Sequence, residues 1–112
     1  MEMALITLDE AKEYLRVDSS DEEATISGLL AGATKLCADV SRLSEEDWAD
    51  IDSDKCCTKK YTRLQLTFIR EELRVAILYA LGYLFEHREE ADHHGLTLTL
   101  RSILFSIREG VV

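Results

Sequence analysis

Proline is absent from the 112 residues. No helix is then interrupted by a missing backbone N–H, so helices can run long and turns fall to Gly, Asp and Ser. Basic residues are scarce beside acidic ones, 13 against 22, for a formal net charge of −9. That balance argues against a dedicated nucleic-acid binder, because phosphate neutralisation needs clustered Lys and Arg. It suits a soluble surface, or the wall of a passage through which DNA slides without sticking. Apolar runs fall far short of the roughly 20 residues a membrane span requires. The opening MEMALITLDEAK lacks the basic start and long apolar core of a signal peptide. Cysteine is limited to Cys37, Cys56 and Cys57, an odd count that predicts free thiols in a reducing compartment. The adjacent Cys56 and Cys57 do not match zinc-ligand spacing.

Catalytic patterns are missing as well. No GxSxG, P-loop, dinucleotide fingerprint or HExxH occurs, and the many carboxylates fall mostly at helix starts and on surface faces. The expectation is a non-enzyme with no cofactor, no metal and no catalytic residue. The hydrophobic fraction of 46% is ordinary for a chain that folds, and the length is that of one domain, residues 1–112.

What is present is helical periodicity, strongest around the run Leu64 to Arg88. Leu66, Ile69, Leu73, Ile77, Ala80 and Leu84 recur at helical spacing, with Arg70, Glu71, Glu72 and Arg74 between them. From Val75 to Phe85 the polar side disappears, and Leu78, Leu81 and Phe85 continue the face begun by Glu71 and Arg74. A helix apolar all round needs a second set of neighbours. Those are either other helices of a small bundle or a neighbouring copy, since a chain this short buries only a modest core.

The chain opens with a short helix marked by Thr7 and Glu10 in capping-box spacing, with Ile6 placed to staple against Ala11. Leu8, Ala11 and Leu15 form its stripe, and it should end near Arg16 or Val17. Asp18 to Asp21 is a polar break in which Ser19 with Glu22, or Ser20 with Glu23, repeats the box. Ile26, Leu29, Leu30, Ala33, Leu36, Cys37, Val40 and Leu43 then define a second helix of over five turns. Gly28 and Gly32 within it each cost roughly 1 kcal/mol of helix propensity, which predicts close packing there.

Between residues 44 and 65 the pattern breaks down, and a variable loop or insertion is expected, with one turn capped by Ser44 and Asp47 and carrying Trp48 and Ile51. Lys55, Lys59 and Lys60 form a small basic island, read as a solvated loop tip. His87, His93 and His94 follow the central helix without i, i+4 spacing, so they are read as solvated and not as metal ligands. Leu96, Leu98 and Leu100 alternate like a short strand, and Ile103, Leu104 and Ile107 then return to helical spacing. Arg101, Phe105 and Arg108 share one face of that last helix, a candidate docking face, and Gly110 can end it. The fold expected is all-α: two long antiparallel helices in a small bundle, with a short N-terminal and a short C-terminal helix.

The opening LITLDEAKEYLRVDSSDEEATISGLLAGATKLC resembles the start of the gp6-like head–tail connector (DNA-packaging, adaptor) family of tailed phages and prophages. Its members begin with a short T-L-x-E-A-K-x-Y-L-R-V-D helix, an acidic break and a long helix with I-x-x-L-I-x-A-A. ELRVAILYALGYLFEHRE is similar to the family's second long helix, and LTLTLRSILFSIRE to its final one. The resemblance covers residues 5–43 and 66–109.

It implies a virion protein without enzymatic activity. Copies would form a ring matching the twelve-fold portal, bridge the portal protein to a tail-side head-closure protein, and let double-stranded DNA pass without sequence-specific binding. Its place would be the head–tail junction, after assembly from the host cytoplasm, with no membrane involved. On this reading Leu78, Leu81 and Phe85 build the subunit contact, and Arg101, Phe105 and Arg108 meet the portal or the next tail component. Two other classes remain open from the residues alone. One is a small acidic helical binding or regulatory module of fixed low stoichiometry. The other is an enzyme built around His87–His94, which would need tight metal binding.

Overall fold

The chain begins by spending its capping chemistry early. In the computed structural model, which describes residues 5–17, 22–52, 57–87 and 93–108, α1 spans Leu8–Leu15. Thr7 Oγ1 accepts from the Glu10 N–H at 3.2 Å and Glu10 Oε1 accepts from the Thr7 N–H at 3.3 Å. This is the reciprocal box expected from the sequence. Ile6 and Ala11 are both buried, as a staple requires. Arg16 ends the helix in the left-handed region, φ 58°, with its N–H on Glu13 O.

The second helix, α2, spans Glu23–Ser41 and buries Ile26, Ala33, Cys37 and Val40. The Ser19 and Ser20 caps proposed for it lie outside the described residues. Gly28 and Gly32 are exposed, and a Cβ built on either would meet nothing within 4 Å. Close packing within the chain is therefore not why they are glycine. Gly28→Ala and Gly32→Ala are each expected to raise stability by about 0.8–1 kcal/mol. Urea denaturation of the two variants beside the parent measures this.

The described residues of segment 44–65 are not all loop. Helix α3 spans Glu45–Asp52, with Ser44 Oγ accepting from the Asp47 N–H at 3.1 Å. Trp48 is half-buried and Ile51 is buried in the core. Arg70 ties the helix end down, its Nε donating to Ile51 O at 2.8 Å and its Nη2 to Asp50 O at 3.3 Å. These are the orphan carbonyls that any helix leaves at its C-terminus. Asp52 Oδ1 also accepts from the Leu5 N–H at 3.1 Å.

The central helix, α4, spans Arg63–Glu86 and starts on a second capping box, Thr62 with Gln65. Leu66, Ile69, Leu73, Ala76, Ile77, Ala80 and Leu81 are buried along it. After the segment 88–92, α5 spans His93–Ile103, and the single turn α6 spans Phe105–Arg108. The strand expected at Leu96–Leu100 is thus helix. Leu96, Leu100, Leu104 and Ile107 line one buried face across the break between α5 and α6. The backbone bonds Leu104 N–H to Leu100 O and Arg108 N–H to Leu104 O continue the helical pattern there.

The result is an all-α bundle in which α2 and α4 pack most extensively and α1, α3, α5 and α6 flank them. The two long helices are antiparallel. Lys12 of α1 pairs with Glu23 at the start of α2 (2.9 Å), and Tyr14 of α1 lies over Gly82 in the last turns of α4. The end of α2 leads into α3, which Arg70 holds near the start of α4. No helix among the described residues is long and apolar enough to cross a membrane.

Candidate assembly interface

Arg74 decides which side of α4 the chain covers. Its guanidinium donates to Leu5 O and to the Glu10 carboxylate, pinning the entry of α1 against the middle of α4. Further along, Tyr14 rests on Gly82, where an added Cβ would come within 3.2 Å of the tyrosine ring. A methyl group at position 82 would therefore need the tyrosine ring to give by a few tenths of an ångström. The Arg74 bond, then the Thr7 hydrogen bonds, hold the Glu10 carboxyl below its usual 4.5. A depressed folded-state value means this contribution is present above pH 4.5 and lost as pH falls through the folded value. Thermal melts at neutral pH and at about pH 3 should show Glu10→Gln losing less stability on acidification than the parent. Equal losses would remove Glu10 from the account.

With α1, α2, α3 and α5 in place, the apolar girdle of α4 divides in two. Leu81 is fully enclosed by its own chain, and Leu78 and Phe85 are half-buried against the core. Of the face expected as a subunit contact, Leu81 is therefore the monomer's own interior, while Leu78 and Phe85 are only half covered. What stays open is the side of α4 turned away from the buried Leu66, Leu73 and Ile77. Leu64 (64% exposed), Phe68 (54%), Val75 (57%) and Tyr79 (42%) run along it at steps of four, seven and four. These positions fall on one helix face. Tyr14, 50% exposed, extends the stripe at the Gly82 end. There Tyr14, Tyr79, Tyr83, Phe85 and His87 line a recess of about 590 Å³. His87 stacks on Tyr83 with ring centroids 4.3 Å apart and sets Nδ1 2.9 Å from Tyr83 O.

A second open face lies on α5 and α6. Leu98 (48% exposed) and Phe105 (60%) flank the exposed Arg101. Arg108, grouped with them in the sequence reading, is not part of that face. It is half-buried and donates from Nη1 to Val40 O at 3.0 Å, closing the C-terminal end of α2.

The remaining candidates are explained locally. Cys37 is enclosed in the core, where burial pushes its thiol up to about 12, and Cys57 is exposed and outside any disulfide. Lys60 pairs with Asp47 at 2.8 Å; Lys55 and Cys56 lie outside the described residues. His94 is exposed, and no cluster of His, Cys, Asp or Glu suited to a metal occurs among the described residues. No protein-family profile, curated protein or solved structure matches the chain.

Proposed function

We propose that the chain is a structural protein of a tailed phage or prophage particle, a head–tail connector whose copies close into a ring beneath the portal. The observation that carries this reading is the apolar stripe Leu64–Phe68–Val75–Tyr79 on the outer side of the central helix. In a chain of net charge −9, such a stripe is costly to leave in water and is suited to contact with another protein surface. The resemblance of residues 5–43 and 66–109 to the gp6-like connectors supplies the setting. In it, the ring joins the portal protein to a tail-side head-closure protein at the head–tail junction. The acidic surface suits a lumen through which DNA passes without binding. The reading is non-enzymatic.

The same stripe also suits a small acidic binding module that docks one partner at fixed stoichiometry, without a ring. Portal rings separate the two. Incubated with its cognate portal protein, the chain is expected to add as a complete further layer, visible in side views by negative-stain electron microscopy. Portal particles that gain no layer in the presence of excess chain would contradict the connector reading.

A further inference from the structure

The middle of the α4 stripe, Phe68 to Val75, matches the α5–α6 face in spacing, in pattern and in charge. On α4, Phe68 and Val75 stand seven residues apart with Glu71 and Glu72 between them. On α5 and α6, Leu98 and Phe105 also stand seven residues apart, with Arg101 between them. Each span is two helical turns, about 10.5 Å. Both read apolar, charged, apolar, and the central charges are opposite. Glu71 and Arg101 are exposed, and Arg101 has no ion-pair partner among the described residues.

We infer that the outer stripe of α4 in one copy packs against the Leu98–Arg101–Phe105 face of the next copy. This rests on the ring reading above and names its seam. Pairing α4 with α4 across a two-fold axis is disfavoured. Centred on the stripe, it sets Glu71 and Glu72 of one copy against the same residues of the other, and like charges juxtaposed at an interface disfavour the pairing. Pairing α4 with the α5–α6 face replaces that repulsion with an Arg between two carboxylates. The area left open on α4 fits a second protein surface. Leu64, Phe68, Val75, Tyr79 and Tyr14 together leave on the order of 500 Å² open. A stable interface buries about 800 Å² per partner, so the stripe supplies most of one side. A contact between two different faces is heterologous, and it closes into a ring when its rotation allows.

The contact is tested by breaking each face in a separate chain and mixing them. Phe68→Glu/Val75→Glu blocks the α4 stripe and leaves the α5–α6 face intact. Arg101→Glu/Phe105→Ser does the reverse. All four positions are exposed, so both variants are expected to keep the parent's circular-dichroism melt. Native mass spectrometry at high protein concentration should then show higher assemblies for the parent and monomers for each variant alone. The equimolar mixture should give a 1:1 heterodimer and nothing larger, because only one good pair of faces remains. If Arg101→Glu/Phe105→Ser assembles like the parent, the α5–α6 face is not in the seam. If the mixture stays monomeric while the parent assembles, the two faces are not partners. Both results overturn the seam and leave the ring reading to the portal experiment. A parent chain that stays monomeric at the highest concentration also overturns the contact, while layers added to portal rings would keep the ring itself.

Discussion

Leu81→Asp is expected to leave the chain unfolded, with loss of the helical circular-dichroism signal and no cooperative melt. Leu81 is fully buried on α4, within the core that α2 and the flanking helices share. Removing a buried leucine side chain costs about 2–5 kcal/mol. A carboxylate in its place must be desolvated without a partner or take up a proton, which costs several kcal/mol more. The sum is comparable to the roughly 5–15 kcal/mol that holds a domain of this kind together. The same substitution at a subunit seam would leave a folded monomer. A Leu81→Asp chain that melts cooperatively near the parent's temperature would show that this side of α4 is open, against the packing described here.

Phe68→Glu/Val75→Glu is expected to behave in the opposite way, keeping the fold and losing self-association. Both side chains are more than half exposed and point away from the core. Glutamate is a better helix former than phenylalanine or valine, so stability should stay within about 1 kcal/mol of the parent. At an interface, each lost apolar side chain is worth about 1.5–3 kcal/mol. Two of them weaken association by roughly 3–6 kcal/mol, two to four orders of magnitude in Kd. Size-exclusion chromatography with light scattering reads the loss, and an unchanged melt shows that it is not unfolding. An assembly of parental size would exclude the stripe as a contact.

The contrast between positions 68 and 81 marks where the sequence stops being informative. Periodicity located α2 and α4, because each repeats its apolar positions over many turns, and Thr7 with Glu10 marked α1 because both halves of the cap lie within four residues. Yet from Val75 to Phe85 the central helix is apolar on every side. Which side is left uncovered depends on where α1 docks. That is settled by Arg74 reaching Leu5 and Glu10, and by Tyr14 on Gly82, contacts between residues more than sixty apart in the chain. Of the expected seam, Leu81 accordingly lies inside the core, and Leu78 and Phe85 are half covered.

Short elements failed for a different reason. Helix α3 buries Ile51 and half-buries Trp48, too few positions to set up a period. In LTLTL the leucines alternate as in a strand, yet Leu96 and Leu100 also stand four apart, as in a helix. The helix won, and Leu98 turned outward as a result: in a strand the three leucines would share one face. Arg108 was assigned to an outer face because helical spacing groups it with Arg101, but its reach to Val40 O is set by where α2 ends. Gln65, the partner in the second capping box, is legible beside Thr62, at the end of a segment whose lack of period otherwise reads as loop.

The measurement that tests the account most directly is native mass spectrometry of the parent chain across a concentration series, with and without the portal protein. The account predicts assemblies that grow with concentration or with template to a closed ring of many copies. They should be absent in Phe68→Glu/Val75→Glu under the same conditions. A chain that remains a monomer or dimer at every concentration and ignores the portal would contradict the connector reading, and would leave the α4 stripe as the docking face of a small binding module.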